Sequence, residues 1–130
     1  MTLVCKIAIA LWVEAKINQF LDRHPNTTIL TSAGNQAVNA CAIFPARMPS
    51  VITVGGTDHK DGLWEHSNYG PCVDTFAPAV DLAAADSSDV KNSLRKSGTS
   101  FATATATGVV AQRLNAGQEI ETILQDILRP

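Results

Sequence analysis

The chain has 130 residues, 45% of them hydrophobic, and 12 acidic against 10 basic side chains for a net charge of −2. That length and balance fit one globular domain with a core of its own. Without a basic run there is no electrostatic ground for a nucleic-acid or anionic-membrane partner, and no apolar stretch approaches the roughly 20 residues that span a bilayer. Neither partner is expected.

At the start, Lys6 precedes the apolar run Ile7 to Val13, which is at the short limit for a signal-peptide core and meets Glu14 instead of a small-residue cleavage site. Ala10, Val13, Ile17, Phe20 and Leu21 instead recur at helical spacing past any such boundary, which predicts a helix from about Leu11 to Arg23. His24-Pro25 ends it, because proline disfavours helical geometry in the residue before it. Thr27 to Thr31 is short, β-branched and apolar, and Ser50 to Gly55 follows the same pattern after a long loop, so both read as buried parallel strands. In an open α/β sheet the loops at strand C-terminal ends carry the ligand site, which puts Ala33-Gly34-Asn35 and Gly55-Gly56-Thr57 on one edge.

Residues 58–71 are polar and turn-rich. Cys72 to Phe76 and Val80 to Ala85 are further candidate strands, and the charged Asp86 to Lys96 is expected at the surface. From Gly98 the residues become small, Gly98-Thr99-Ser100-Phe101-Ala102-Thr103-Ala104-Thr105-Ala106-Thr107-Gly108, and side chains of that size suit a helix packed closely on a sheet. Gln118 to Leu128 closes the chain as an amphipathic helix with Ile120, Ile123, Leu124, Ile127 and Leu128 on one face. The three cysteines, Cys5, Cys41 and Cys72, include no CxxC pair, and leave open one disulfide with a free thiol or three reduced thiols.

A serine opening a helix meets unpaired N–H groups and the positive end of the helix dipole, where negative charge developing on an acyl oxygen is favoured. Alone, Ser100 would read as an ordinary N-cap. Three stretches together carry more. Gly98-Thr99-Ser100-Phe101-Ala102-Thr103 resembles the nucleophile signature of the subtilisin-like serine peptidases (subtilases), and Ser32-Ala33-Gly34-Asn35, about 65 positions earlier, resembles their oxyanion-hole strand. Ser67-Asn68-Tyr69-Gly70-Pro71-Cys72-Val73-Asp74-Thr75-Phe76-Ala77-Pro78 is similar to a third family stretch. The likeness covers about residues 26–111 and has the flavour of the proteinase K and aqualysin branch.

The resemblance implies an incomplete subtilisin-like α/β fold over residues 1–130, a mostly parallel sheet flanked by helices. It implies Ser100 as nucleophile on a peptide or protein substrate, Asn35 as oxyanion donor, and Ser32, Ala33 and Gly34 as a wall of the substrate pocket. It also implies a calcium held by the Pro49 and Val51 carbonyls and Asp74, a Cys41–Cys72 disulfide, and secretion as the family's habit. Two departures stand out. The proline and histidine that follow the nucleophile signature in the family are Ala104 and Thr105 here, and the family's Asp-Ser/Thr-Gly and His-Gly-Thr motifs are absent. His24, His59 and His66 are followed by Pro, Lys and Ser and read as bystanders. The expectation is therefore a peptidase domain portion inactive by itself, whose partner is the half that carries the Asp and His; the rival reading is a non-catalytic pseudoenzyme or interaction fragment. A nucleotide-binding domain is disfavoured, since Gly55-Gly56-Thr57 lacks the dinucleotide spacing.

Overall fold

The computed structural model describes residues 3–85 and 92–127. Helix α1 (Leu3–Arg23) leads to strand β1 (Leu30–Ser32), a single 3₁₀ turn at Ala40–Ala42, and strands β2 (Ile52–Thr57) and β3 (Thr75–Pro78). A ribbon of β4 (Leu82–Ala85) and β5 (Ser93–Lys96) follows, then helices α2 (Thr99–Asn115) and α3 (Ile120–Ile127). Strands β1, β2 and β3 form a parallel sheet in that order, and β4 and β5 pair antiparallel. This is the α/β class expected, with a parallel sheet and flanking helices.

The strand boundaries differ from the sequence reading for reasons of pairing. Thr27 donates its N–H to the His24 carbonyl in the turn that ends α1, so the sheet begins only where Ile52 N–H reaches the Ile29 carbonyl at 2.8 Å. Ser50 is turned toward α1 by a 2.6 Å bond to Asn18, which delays β2 to Ile52. At the other end β2 runs on through Gly55, Gly56 and Thr57, opposite Phe76, Ala77 and Pro78, so those residues are strand and not a loop at its mouth. The close approach explains the glycine at 56, where an added Cβ would lie 2.5 Å from the Ala79 methyl.

Val73 N–H closes a turn onto the Gly70 carbonyl, so β3 starts three residues later than Cys72. Pro78 sits at its end, where an edge strand tolerates a missing N–H. Ser93 to Lys96, expected to be irregular surface, is exposed but is a strand, because Leu94 and Arg95 pair opposite Ala84 and Ala83. Asp86 to Lys91 lie outside the described residues.

The helices follow the periodicity. α1 extends to Leu3, earlier than Leu11, and ends at Arg23 as expected. No helix among the described residues is long and apolar enough to cross a membrane. α2 lies across all three parallel strands and buries Thr99, Ala102, Ala106 and Val110, with Val54, Ala77 and Ala79 beneath and Leu30 and Trp64 at the border. Small side chains are what let helix and sheet approach there. Ala104 and Thr105 leave α2 unbroken, and Thr103, Thr105 and Thr107 each turn a hydroxyl back to the carbonyl four residues earlier, at 2.8, 3.1 and 2.7 Å. α3 docks by the fully buried Ile123 and by the 2.9 Å Arg113–Asp126 ion pair; the side chains of Leu124 and Ile127, and Leu128, lie outside the described residues.

A second small cluster, Ala33, Ala40 and Ala46 with Ile43, Cys72 and Val73 around it, supports the loop after β1. Cys41 and Cys72 are disulfide-bonded across it, 31 positions apart with Cα atoms 5.2 Å from each other. The side chain of Cys5 lies outside the described residues.

Candidate active site

The site forms where β1 ends and α2 begins. Ser32 is the last residue of β1, opposite Val54, and Ala33 is fully buried with its N–H on the Val54 carbonyl at 2.9 Å. Gly34 then turns the chain with φ +104°, a conformation side chains rarely adopt, and an added Cβ would run into the Asn68 amide. Asn35 follows on the exposed side of the turn.

Across from it, Gly98 N–H donates to the Ala79 carbonyl at 2.8 Å and Asp81 N–H to Ser97 Oγ at 2.9 Å, which fixes the approach to α2. The Arg95 guanidinium, 2.8 Å from Asp81, holds that carboxyl below the usual carboxylate range and is itself raised by it. Gly98 is the N-cap, with φ 156° and ψ 151°, backbone angles that only glycine takes up at ease. Ser100 is therefore the second residue of the helix and not its cap, a correction to the bland reading of that serine.

The first turn of a helix leaves N–H groups that need other partners. Here Thr99 N–H goes to Asn35 Oδ1 at 2.9 Å, and Phe101 and Ala102 donate to the Gly98 carbonyl at 3.0 and 3.3 Å. Ser100 N–H has no partner among the described residues, and neither has the exposed Ser100 hydroxyl. The orientation of Asn35 follows from chemistry. Thr99 N–H can only donate, so the atom facing it is the amide oxygen, and the NH₂ group is presented on the other side. Thr99 Oγ1 adds a 2.8 Å bond to Asn35 Oδ1 and accepts from Gly34 N–H at 3.2 Å. Asn35 Nδ2 lies near the Gly98 turn, 3.8 Å from where a Cβ on Gly98 would stand. The fold thus gathers Asn35, Thr99 and Ser100 at one sheet edge, with two N–H donors and one hydroxyl unspent. None of His24, His59 or His66 is hydrogen-bonded to Ser100: His24 packs on Phe20, and His66 lies against Trp64 and Glu65.

In the sequence Thr99 and Asn68 stand only as members of their motifs, with nothing to mark them as hydrogen-bond hubs. Full burial of a polar side chain would have marked both, but burial is invisible before the fold. A separate group lies beyond the disulfide. Pro49 and Asp74 line one cavity of about 200 Å³ with Ala46, Arg47, Met48, Pro71 and Cys72; Val51, buried, lies beside it in sequence and does not line it. Asp74 Oδ2 accepts from Thr53 N–H at 2.7 Å, and no described residue donates to Asp74 Oδ1 or to the Pro49 and Val51 carbonyls. No cluster of three His, Cys, Asp or Glu side chains suited to a metal occurs among the described residues, so a cation there would rest on carbonyls and one carboxylate.

A helix on a parallel sheet, with an Asn and a Ser brought together at one edge, belongs to a recognisable class. The model of the Subtilase family (Peptidase_S8) matches residues 7–124, and the chain belongs to that family. It is 41% identical over 99 residues to a subtilase-type proteinase of Saccharomyces cerevisiae, covering 75% of this chain and 20% of that protein. It is 43% identical over 86 residues to an extracellular serine proteinase of Thermus sp., covering 65% of this chain and 20% of that one. The crystal structure of a cold-adapted subtilisin-like serine proteinase superposes with a TM-score of 0.65 at 38% identity, over 72% of this chain and 34% of the other. The chain spans about a fifth of the length of each of these two curated relatives.

Proposed function

We propose that this chain carries the nucleophile side of a serine endopeptidase centre. Ser100 attacks the scissile carbonyl of a peptide or protein, and the Ser100 N–H and Asn35 Nδ2 receive the charge that develops on the carbonyl oxygen. The observation that carries the reading is the hydrogen bonding of the first helical turn: among the described residues Ser100 N–H is left without a partner while Asn35 spends its oxygen, and not its NH₂, on Thr99. Such donors act best when preorganised in a site that excludes water. Ser32 and Gly34, both partly exposed, form one wall of the substrate pocket in this reading, with the fully buried Ala33 between them as its backing.

A serine hydroxyl at neutral pH is a weak nucleophile without an adjacent base. Since no histidine bonds to Ser100 among the described residues, the chain by itself turns over negligibly, and the Asp and His come from another segment. Sheet and helix surface support a partner of that kind: Leu11 and Trp12 of α1 are 56% and 63% exposed, and β1 and β3 are the outer strands of the parallel sheet among the described residues. The same exposed face favours the second reading, a non-catalytic fragment that only binds a partner. The Thermus relative is named an extracellular serine proteinase, which supports action outside the cytosol, where the Cys41–Cys72 bond persists.

Calcium is proposed at Pro49, Val51 and Asp74. Among the described residues none donates to the Pro49 and Val51 carbonyls or to Asp74 Oδ1; such oxygens suit a hard cation, and bound at the Pro49–Asp74 cavity, beside Val51, it would brace the loop between β1 and β2. The peptidase reading is tested by treating the purified chain with a chromogenic peptide and a fluorophosphonate probe. Negligible turnover and labelling are expected. Labelling that vanishes in Ser100→Ala would show that these residues contain their own base.

A further inference from the structure

Resting on the reading of Asn35 as an oxyanion donor, we propose that Asn68 is the positioning residue that sets where Asn35 presents its amide. Asn68 is fully buried, and its side chain spends both halves of its amide on the loop that bears Asn35. Oδ1 accepts from Gln36 N–H at 3.0 Å and Val38 N–H at 3.1 Å; Nδ2 donates to the Ala33 carbonyl at 2.7 Å and to Gln36 Oε1 at 3.3 Å. The amide cannot be flipped, because two backbone N–H groups face one end and a carbonyl faces the other.

The loop needs such a hold. Gly34 and Ala37 both have positive φ, +104° and +53°, and Ala37 is not a residue that adopts this region freely. Residues 34–38 are held mostly from outside the loop: of their backbone N–H groups only that of Asn35 bonds within it, to Gln36 Oε1. Asn68 N–H bonds the Gly34 carbonyl at 2.9 Å, Ala37 N–H the His66 carbonyl at 3.1 Å, and Tyr69 N–H the Val38 carbonyl at 3.1 Å, so segment 66–69 runs alongside the loop like a splint. Ser67 fastens that splint to the sheet by accepting from Gly56 N–H at 2.9 Å. Asn35 is the one member of the loop whose side chain points across to α2. A continuous path runs from β2 through Ser67 and Asn68 to the loop, then from Asn35 to Thr99 and the turn that holds Ser100.

The test is amide hydrogen exchange on the full chain. Thr99 N–H is protected by Asn35 Oδ1, whereas Ile52 N–H, on the Ile29 carbonyl, is protected by the sheet. In Asn68→Ala, exchange at Thr99 should speed by about tenfold or more relative to Ile52, the effect of one buried hydrogen bond. An unchanged Thr99, or a rise equal to that at Ile52, would overturn the proposal, the second outcome meaning that Asn68 only stabilises the fold. Asn68→Asp keeps Oδ1 for the Gln36 and Val38 N–H groups but sets an oxygen against the Ala33 carbonyl in place of the NH₂, so it should retain more Thr99 protection than alanine at low pH, where the protonated carboxyl can donate in its stead. The unmodified chain gives an independent check in low urea: Gln36, Val38 and Thr99 amides should open together as one unit below the opening of Ile52, and separate openings would also overturn it. Exchange at Thr99 involves no bond breaking in a substrate, so this result and the fluorophosphonate result fail independently.

Discussion

Asn35 and Thr99 are joined by two hydrogen bonds, 2.9 and 2.8 Å, across 64 positions of sequence, and both end on the same amide oxygen. That relationship turns an exposed asparagine into a donor of known direction. Thr99→Val tests it with little change of shape. The hydroxyl is lost from a fully buried site, leaving Gly34 N–H without its acceptor, and the expected destabilisation is about 1–3 kcal/mol by urea unfolding. Thr99→Ser should recover most of it.

Gly34→Ala addresses the same turn from the other side. At φ +104° a side chain is strained, and the Cβ has no room because Asn68 occupies the space. A loss of at least about 1–3 kcal/mol is expected, measured by thermal or urea unfolding. At the solvent-facing Gly117, with φ +80° and nothing within 4 Å, alanine meets the backbone strain alone and should cost less.

Much of this was legible in the residues. Small side chains from Gly98 onward identified α2 and its close packing, and the Asn35 and Ser100 motifs placed both at strand and helix ends before any coordinates. Local pattern could not locate the strands to the residue: β1 begins where Ile52 N–H reaches the Ile29 carbonyl, β3 where Asp74 N–H reaches the Thr53 carbonyl, and pairing is a property of two segments at once. The β5 strand was missed because Ser93 to Lys96 is exposed on every residue and shows no alternation. Asn68 was missed because a buried asparagine reads, in sequence, like any turn residue.

The disulfide should contribute to stability through the 31-residue separation it closes. In the chain-entropy account a loop of that size is stabilised by about 3–4 kcal/mol, so Cys41→Ser/Cys72→Ser should unfold at correspondingly lower urea concentration. Non-reducing peptide mapping that pairs Cys5 with either residue would contradict the assignment.

Calcium at millimolar concentration should raise the melting midpoint, since a ligand that binds only the folded state stabilises it as RT ln(1 + [L]/Kd). Asp74→Ala should remove the shift. Coincident melting curves in calcium and in chelator would dispose of the site.

We propose that this chain holds the nucleophile and the oxyanion donors and takes the Asp and His from another segment. This proposal is tested most directly by fusing the chain behind a subtilase segment that carries the Asp-Ser/Thr-Gly and His-Gly-Thr motifs and measuring peptide hydrolysis and fluorophosphonate labelling of the folded fusion. The account predicts labelling at Ser100, loss of both signals in Ser100→Ala, and a fall in kcat of about 10²–10³ in Asn35→Ala, the cost of removing one oxyanion donor. A folded fusion that stays unlabelled, or one whose labelling survives Ser100→Ala, would contradict it.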